Sequence, residues 1–206
     1  MHFPVVTPHG PADVRVDVPA GPPALLLVLG HGAGGNVDAP DLVAVRDAVL
    51  GLGAAVARVT QPYRVAGRRA PAPAGQLDTA WVAAVAAVVE LPELAALPLV
   101  VGGRSSGARV ACRTAAATGA RGIVALAFPL HPPGKPDRSR AAELATGLPT
   151  LVVNGDRDPF GIPVADGTVT VEVMPGADHA LQRDVAAVAA AVTGWLGGHG
   201  WPLPER

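Results

Sequence analysis

Five runs of this chain are apolar at nearly every position: Ala24 to Leu29, Ala54 to Val59, Leu99 to Val101, Ile123 to Ala127 and Leu151 to Val153. Each is bounded by glycine or proline. A strand with one wet face alternates apolar and polar residues. A strand that is apolar throughout is covered on both faces, which is the habit of parallel sheets sandwiched between helices. The intervening segments supply the helices. Asp41 to Leu50 carries apolar residues at helical spacing and stops at Gly51 and Gly53, Leu77 to Glu90 stops before Pro92, and Ala108 to Ala117 stops at Gly119. Asp184 to Leu196 predicts a closing helix, and the tail beyond it is expected to fray. Val169 to Val173 predicts a further strand, Ala141 to Thr146 a short helix, and the alternation in Val14 to Val18 a half-buried edge strand. The expected fold class is α/β, a doubly wound, mostly parallel sheet flanked by helices. Right-handed crossovers then gather every strand-to-helix loop at the sheet's carboxyl edge. Residues 1–206 are expected to form one domain, with a core over about 13–198.

Charge narrows the partners. The formal net charge is -1 and 16% of residues are charged. No global basic field is available for nucleic acid or an anionic membrane. No apolar stretch is long enough for a membrane span, and MHFPVVTPHGPADV lacks the pattern of a secretion signal. Cys112 is the only cysteine. These features predict a cytoplasmic protein. Cys112 itself reads as a small core residue on the helix after Gly107.

Two of the three serines, Ser105 and Ser106, stand in Gly103-Arg104-Ser105-Ser106-Gly107, between a buried strand and a helix. A linker would also combine glycine and serine, and a phosphate-binding turn would also join strand to helix. The G-x-S-x-G pattern in this context instead predicts a sharp turn that exposes the Ser105 hydroxyl as a nucleophile. Glycines on either side remove Cβ atoms that would collide as the chain doubles back. A serine hydroxyl needs a base. Among the six histidines, His179 follows the Val169 to Val173 strand and precedes the final helix, where the base is expected. The acid is expected after the strand before that one, where Asp156 and Asp158 both stand, and the pattern alone leaves the two open. Asp178 reads as a surface residue capping the last helix. Gly30-His31-Gly32-Ala33-Gly34-Gly35 follows the first buried strand and predicts an anion site of backbone N–H groups, with Ala33 and Ser106 as donors. Tyr63, Phe128, Leu130 and Phe160 lie in loops at the same edge and are the expected pocket walls.

LGHGAGG, GGRSSG, NGDRDPFG and GADHAL, in this order, resemble the alpha/beta-hydrolase superfamily, and more closely its small, cap-less, dienelactone-hydrolase-like branch. QPYRVAGRRAPAP and FPLHPPGKPDRSR resemble the subgroup of testis-expressed hydrolase-like proteins and a subunit of the non-specific-lethal histone acetyltransferase complex. The resemblance implies an eight-stranded mixed sheet without a cap domain and a Ser105, Asp158, His179 triad, choosing Asp158 by the Gly-x-x-Asp pattern counted from Gly155. Dienelactone hydrolases carry cysteine at the elbow, so Ser105 does not imply that substrate. The first strands of the usual sheet are expected to be missing or reduced to Val14 to Val18.

The function expected is a serine hydrolase cleaving a small ester, thioester or lactone, with no metal or cofactor. A non-catalytic interaction module, and acyl transfer or peptide cleavage by the same triad, are the alternatives. A scaffold alone has no physical need for serine, acid and histidine in three converging loops. Arg64, Arg68 and Arg69 read as a solvated face.

Overall fold

A computed structural model describes residues 1–203. Its single sheet has eight strands: β1 (His2–Thr7), β2 (Gly10–Asp17), β3 (Leu26–Gly30), β4 (Ala55–Thr60), β5 (Leu99–Arg104), β6 (Gly122–Leu126), β7 (Thr150–Gly155) and β8 (Val169–Met174). Their spatial order is β1-β2-β4-β3-β5-β6-β7-β8. The six strands from β3 onward are parallel, while β2 runs antiparallel to both β1 and β4. This is the alpha/beta-hydrolase fold.

The unbroken apolar runs are explained by which face each side chain enters. On β3, Leu26 and Val28 belong to one core and Leu27 and Leu29 to the other. On β6, Ile123 and Ala125 point one way and Val124 and Leu126 the other. Helices α1 (Pro40–Gly51) and α5 (Val185–Gly198) pack together over one face. The four-residue α2 (Pro62–Val65) lies against β2, and α3 (Ala74–Val89) and α4 (Ser106–Thr118) pair over the opposite face. A 3-10 turn at Ala141–Leu144 lies against α4.

Several expectations are corrected. The first strands are neither missing nor reduced. The β1–β2 hairpin is present, and buried Val5 and Ala12 carry the core ahead of residue 13. The proline- and arginine-rich segment after β4 holds α2, and α3 begins at Ala74, three residues before the apolar spacing starts. The tail beyond Leu196 continues helical to Gly198, and Trp201 and Leu203 pack against the α1–α5 core. Residues 204–206 of that tail lie outside the described residues. The last helix is capped by Asp184, whose carboxylate accepts from Ala187 N–H at 2.9 Å, not by Asp178. Among the described residues no helix is long and apolar enough to cross a membrane.

Candidate active site

Ser105 sits at the turn between β5 and α4 with φ 54° and ψ -108°. A non-glycine residue held there stores roughly 1–3 kcal/mol of strain, which the surroundings must enforce. They do so by backbone contact. A Cβ on Gly103 would stand 2.5 Å from Gly30 O, and one on Gly107 would stand 2.6 Å from Gly30 C and O. A Cβ on Gly102 would collide with Val124 O on β6. The glycines around the serine are therefore required by three close strand and helix approaches. Ser105 N–H donates to Leu126 O at 2.8 Å, tying the turn to the end of β6.

His179 arrives on the loop after β8 and Asp158 on the loop after β7. The two loops interlock at Gly155, where a Cβ would run into Ala177 O. Arg157 N–H also donates to Ala177 O, at 3.0 Å. The result is a continuous chain. His179 Nε2 lies 2.8 Å from Ser105 Oγ, and His179 Nδ1 lies 2.8 Å from Asp158 Oδ2. The Asp158 side chain is fully buried, and that of His179 is 20% exposed. Phe160 N–H donates to Asp158 Oδ1 at 2.9 Å. The Phe160 ring lies against the imidazole with centroids 4.2 Å apart. With Nδ1–H donated to a carboxylate, Nε2 is the nitrogen able to accept the serine proton.

Asp156 and Asp178 are exposed and touch neither ring nitrogen. Asp178 accepts from Ala180 N–H inside its own turn.

The loop after β3 is built around a buried histidine. His31 Nε2 accepts from Gln61 N–H at 3.1 Å, so its Nδ1 carries the proton and donates to Gly32 O at 2.8 Å. Burial pushes the His31 imidazole below its ordinary value of 6.5, keeping it neutral. Gly32 O also accepts from Gly35 N–H at 3.1 Å. Because a trans peptide is planar, fixing the Gly32 carbonyl aims the Ala33 N–H the opposite way. Among the described residues neither Ala33 N–H nor Ser106 N–H, the first of α4, meets an acceptor.

Of the expected pocket walls, only Phe160 touches the three-residue chain. Phe128 is wholly buried in the core beneath α4, so it is no wall. Its exposed-looking position after β6 is misleading, because Asn154 clamps its peptide from β7, accepting from Phe128 N–H at 2.8 Å and donating to Phe128 O at 3.0 Å. Tyr63 is 3% exposed and its hydroxyl is spent on Ala33 O at 2.6 Å, a prop behind the loop after β3. Leu130 lines a separate hollow of about 660 Å³ beside Leu144 and Val169. That hollow includes none of Ser105, Asp158 or His179. Hydrogen-bond geometry, not hollow size, locates the chemistry. Cys112 is buried and its thiol is pushed up to about 12 by burial, so it is inert.

Four residues at the site were not anticipated: Asn154, His31, Asp41 and Arg104. Asn154 Nδ2 also donates to Gly161 O at 3.1 Å, so one amide joins the β6 and β7 loops. A polar residue closing the run Leu151-Val152-Val153 is the trace it leaves in the sequence. Among the described residues no three His, Cys, Asp or Glu side chains gather as a metal site would.

Known structures share this architecture. A lid-less serine hydrolase, XC6422 from Xanthomonas campestris, superposes with a TM-score of 0.78 at 23% identity over 100% of this chain and 96% of its own. Est1E from Butyrivibrio proteoclasticus gives 0.75 at 15% identity over 95% and 97% of the two chains. A dienelactone hydrolase from Anabaena variabilis gives 0.76 at 18% identity over 96% of each chain. No curated protein sequence matches this one. At these identities the likeness speaks for the fold. The sequence pattern of the alpha/beta hydrolase domain matches residues 23–190, which spans β3 to the middle of α5, and the chain belongs to that family.

Proposed function

We propose that the protein is a serine hydrolase that cleaves a small ester, thioester or lactone through an acyl-enzyme. The observation that carries this reading is the unbroken chain from Ser105 Oγ through His179 to Asp158 at the carboxyl edge of the sheet. Ser105 Oγ attacks the acyl carbon and its proton passes to His179 Nε2. The Asp158 carboxylate holds the imidazole in the required tautomer and stabilises the imidazolium. Charge gathering on the acyl oxygen is met by the Ser106 and Ala33 N–H groups. His179 then hands its proton to the leaving alcohol, thiol or lactone oxygen as the acyl–oxygen or acyl–sulfur bond breaks. Water enters, gives a proton to Nε2 and releases the acid, and Ser105 regains its hydrogen.

Likeness to a lid-less serine hydrolase and to a dienelactone hydrolase supports an acyl substrate, and the absence of a cap over the described site suits a small molecule or one presented by its end. Phe160 forms one wall. The QPYRVAGRRAPAP and FPLHPPGKPDRSR segments support placing the chain near the testis-expressed and non-specific-lethal-complex subgroup.

Labelling with a fluorophosphonate probe tests the reading. Wild type is expected to be labelled, and Ser105→Ala and His179→Ala are expected to be silent while keeping a native circular dichroism spectrum. Hydrolysis of short esters should follow the same order. A folded wild type that takes up no probe, or a Ser105→Ala variant that still turns over, would refute it.

A further inference from the structure

Arg104, the residue before the proposed nucleophile, sends its side chain to the His179 main chain. Its Nη2 donates to the His179 carbonyl at 2.9 Å. Its Nε stands 3.1 Å from Asp41 Oδ2. Asp41 lies in the first turn of α1 with no exposed surface, and Arg104 is 16% exposed. A Cβ on Gly32 would stand 3.3 Å from Arg104 Nη1, so the guanidinium also abuts the loop after β3. One planar group thus spans the elbow, the histidine loop, the start of α1 and the loop after β3.

Two features mark this contact as more than packing. First, among the described residues the Arg104 guanidinium is the only hydrogen-bond partner of the His179 main chain. The neighbouring residues are held by their own turn, with Ala180 and Leu181 N–H bonded to Asp178. His179 itself depends on Arg104. Second, neither Asp41 oxygen meets a well-aligned hydrogen-bond donor, and only the nearby Leu42 and Asp41 N–H groups help the Arg104 cation to hold the charge. The Arg104 N–H is not aimed at Oδ2, so the short separation is a contact of charges. Burial pushes the Asp41 carboxyl up and the guanidinium draws it back down. A wholly buried carboxylate so poorly bonded is costly unless a cation stands beside it. Asp41 in turn gives that cation a fixed place.

We infer that Arg104 and Asp41 form a positioning pair, in which Asp41 fixes the guanidinium and the guanidinium fixes the His179 main chain so that the imidazole keeps its reach to Ser105. Arg104 does not touch the reacting atoms. Its effect passes through His179, and it rests on the hydrolase reading above. The ring is then set from two sides, by Phe160 against its face and by Arg104 through its backbone.

Arg104→Lys is the informative variant. It keeps a cation beside Asp41, but an ammonium lacks the rigid fork that reaches two partners at once. A displacement of about 1 Å at a base can cost on the order of 100-fold in rate. The expected result is a kcat lower by roughly 10- to 100-fold, a parallel fall in the rate of fluorophosphonate labelling, little change in KM and a native circular dichroism spectrum. An unchanged kcat overturns the inference. Should Arg104→Lys fail to fold, the double variant Asp41→Asn with Arg104→Gln removes both charges together and is expected to show the same kcat loss. A structural arm does not depend on activity. A crystal structure of Arg104→Lys should show the His179 ring displaced from Ser105 Oγ, and an unmoved ring overturns the inference. A wild type that takes up no probe, with the ring displaced in the variant, would sink the hydrolase reading and leave the positioning pair standing.

Discussion

Asp156 and Asp158 share one loop, and their environments separate their tasks. Asp158 is buried against His179 and receives the Phe160 N–H, whereas Asp156 faces solvent. Asp158→Asn is therefore expected to lower kcat by as much as about 10,000-fold, because the amide favours the wrong imidazole tautomer. Asp156→Asn should change kcat little. Steady-state kinetics on both variants check this, and the reverse ranking would overturn the assignment. His31 carries a prediction of opposite character, one of stability. Its folded state binds a proton only below the ordinary value of 6.5, while the unfolded chain binds one at that value. Between the two, the unfolded state holds the extra proton, so stability is full above the ordinary value and is lost as pH falls through the folded one. Urea unfolding of wild type should show this loss as pH falls below the ordinary histidine value of 6.5, and His31→Gln should flatten it. An unchanged slope in the variant would count against a buried neutral His31. At this scale the meeting of Ser105 and His179 was legible in the chain, since a G-x-S-x-G turn and a histidine after a strand leave recognisable spacing. The buried polar residues around them were not. Nothing in Asp41, His31 or Asn154 as letters says that each is buried, because burial of a polar side chain is decided by the tertiary fold.

Elements meet at this site by close backbone approach, so the positions most sensitive to change are those lacking a side chain. Gly155→Ala would force the loops after β7 and β8 apart at Ala177 O. We expect a stability loss of about 1–3 kcal/mol, together with a kcat loss on the order of 100-fold as His179 moves from Ser105. Gly51→Ala is the matched control, since a Cβ there, at the end of α1, meets nothing within 4 Å. Thermal melts and kinetics on the pair would separate a crowded contact from a general intolerance of alanine. The strands at the centre of the sheet were legible because they are apolar on both faces. β1 was not, because HFPVVT contains Pro4 and sits at an edge with only one face covered, which leaves no unbroken apolar run. α2 was hidden by its brevity, four residues in a segment dominated by proline and arginine.

Across the whole molecule, two cores share one sheet. Trp81 lies in the core beneath α3 and α4, and Trp195 in the core beneath α1 and α5. Each central strand contributes to both cores, so neither can melt while the other stands. We expect tryptophan fluorescence from single-tryptophan variants retaining Trp81 or Trp195 to report the same denaturant midpoint. Distinct midpoints would show the two faces to be separable. The general α/β architecture followed from the alternation of apolar runs with helical spacing. The closure of the sheet by a β1–β2 hairpin did not.

One long separation has a consequence for how the protein comes into being. Ser105 and its partner His179 lie 74 residues apart, and the helix that follows His179 completes the α1–α5 core. During synthesis the elbow therefore leaves the ribosome well before the base that would activate it. On the proposed reading, a nascent chain carries a chemically quiet serine, and a chain broken anywhere before β8 stays quiet. Competence arises only once translation has passed His179, so the order of residues along the chain acts as a safeguard against acylation of a partly made domain.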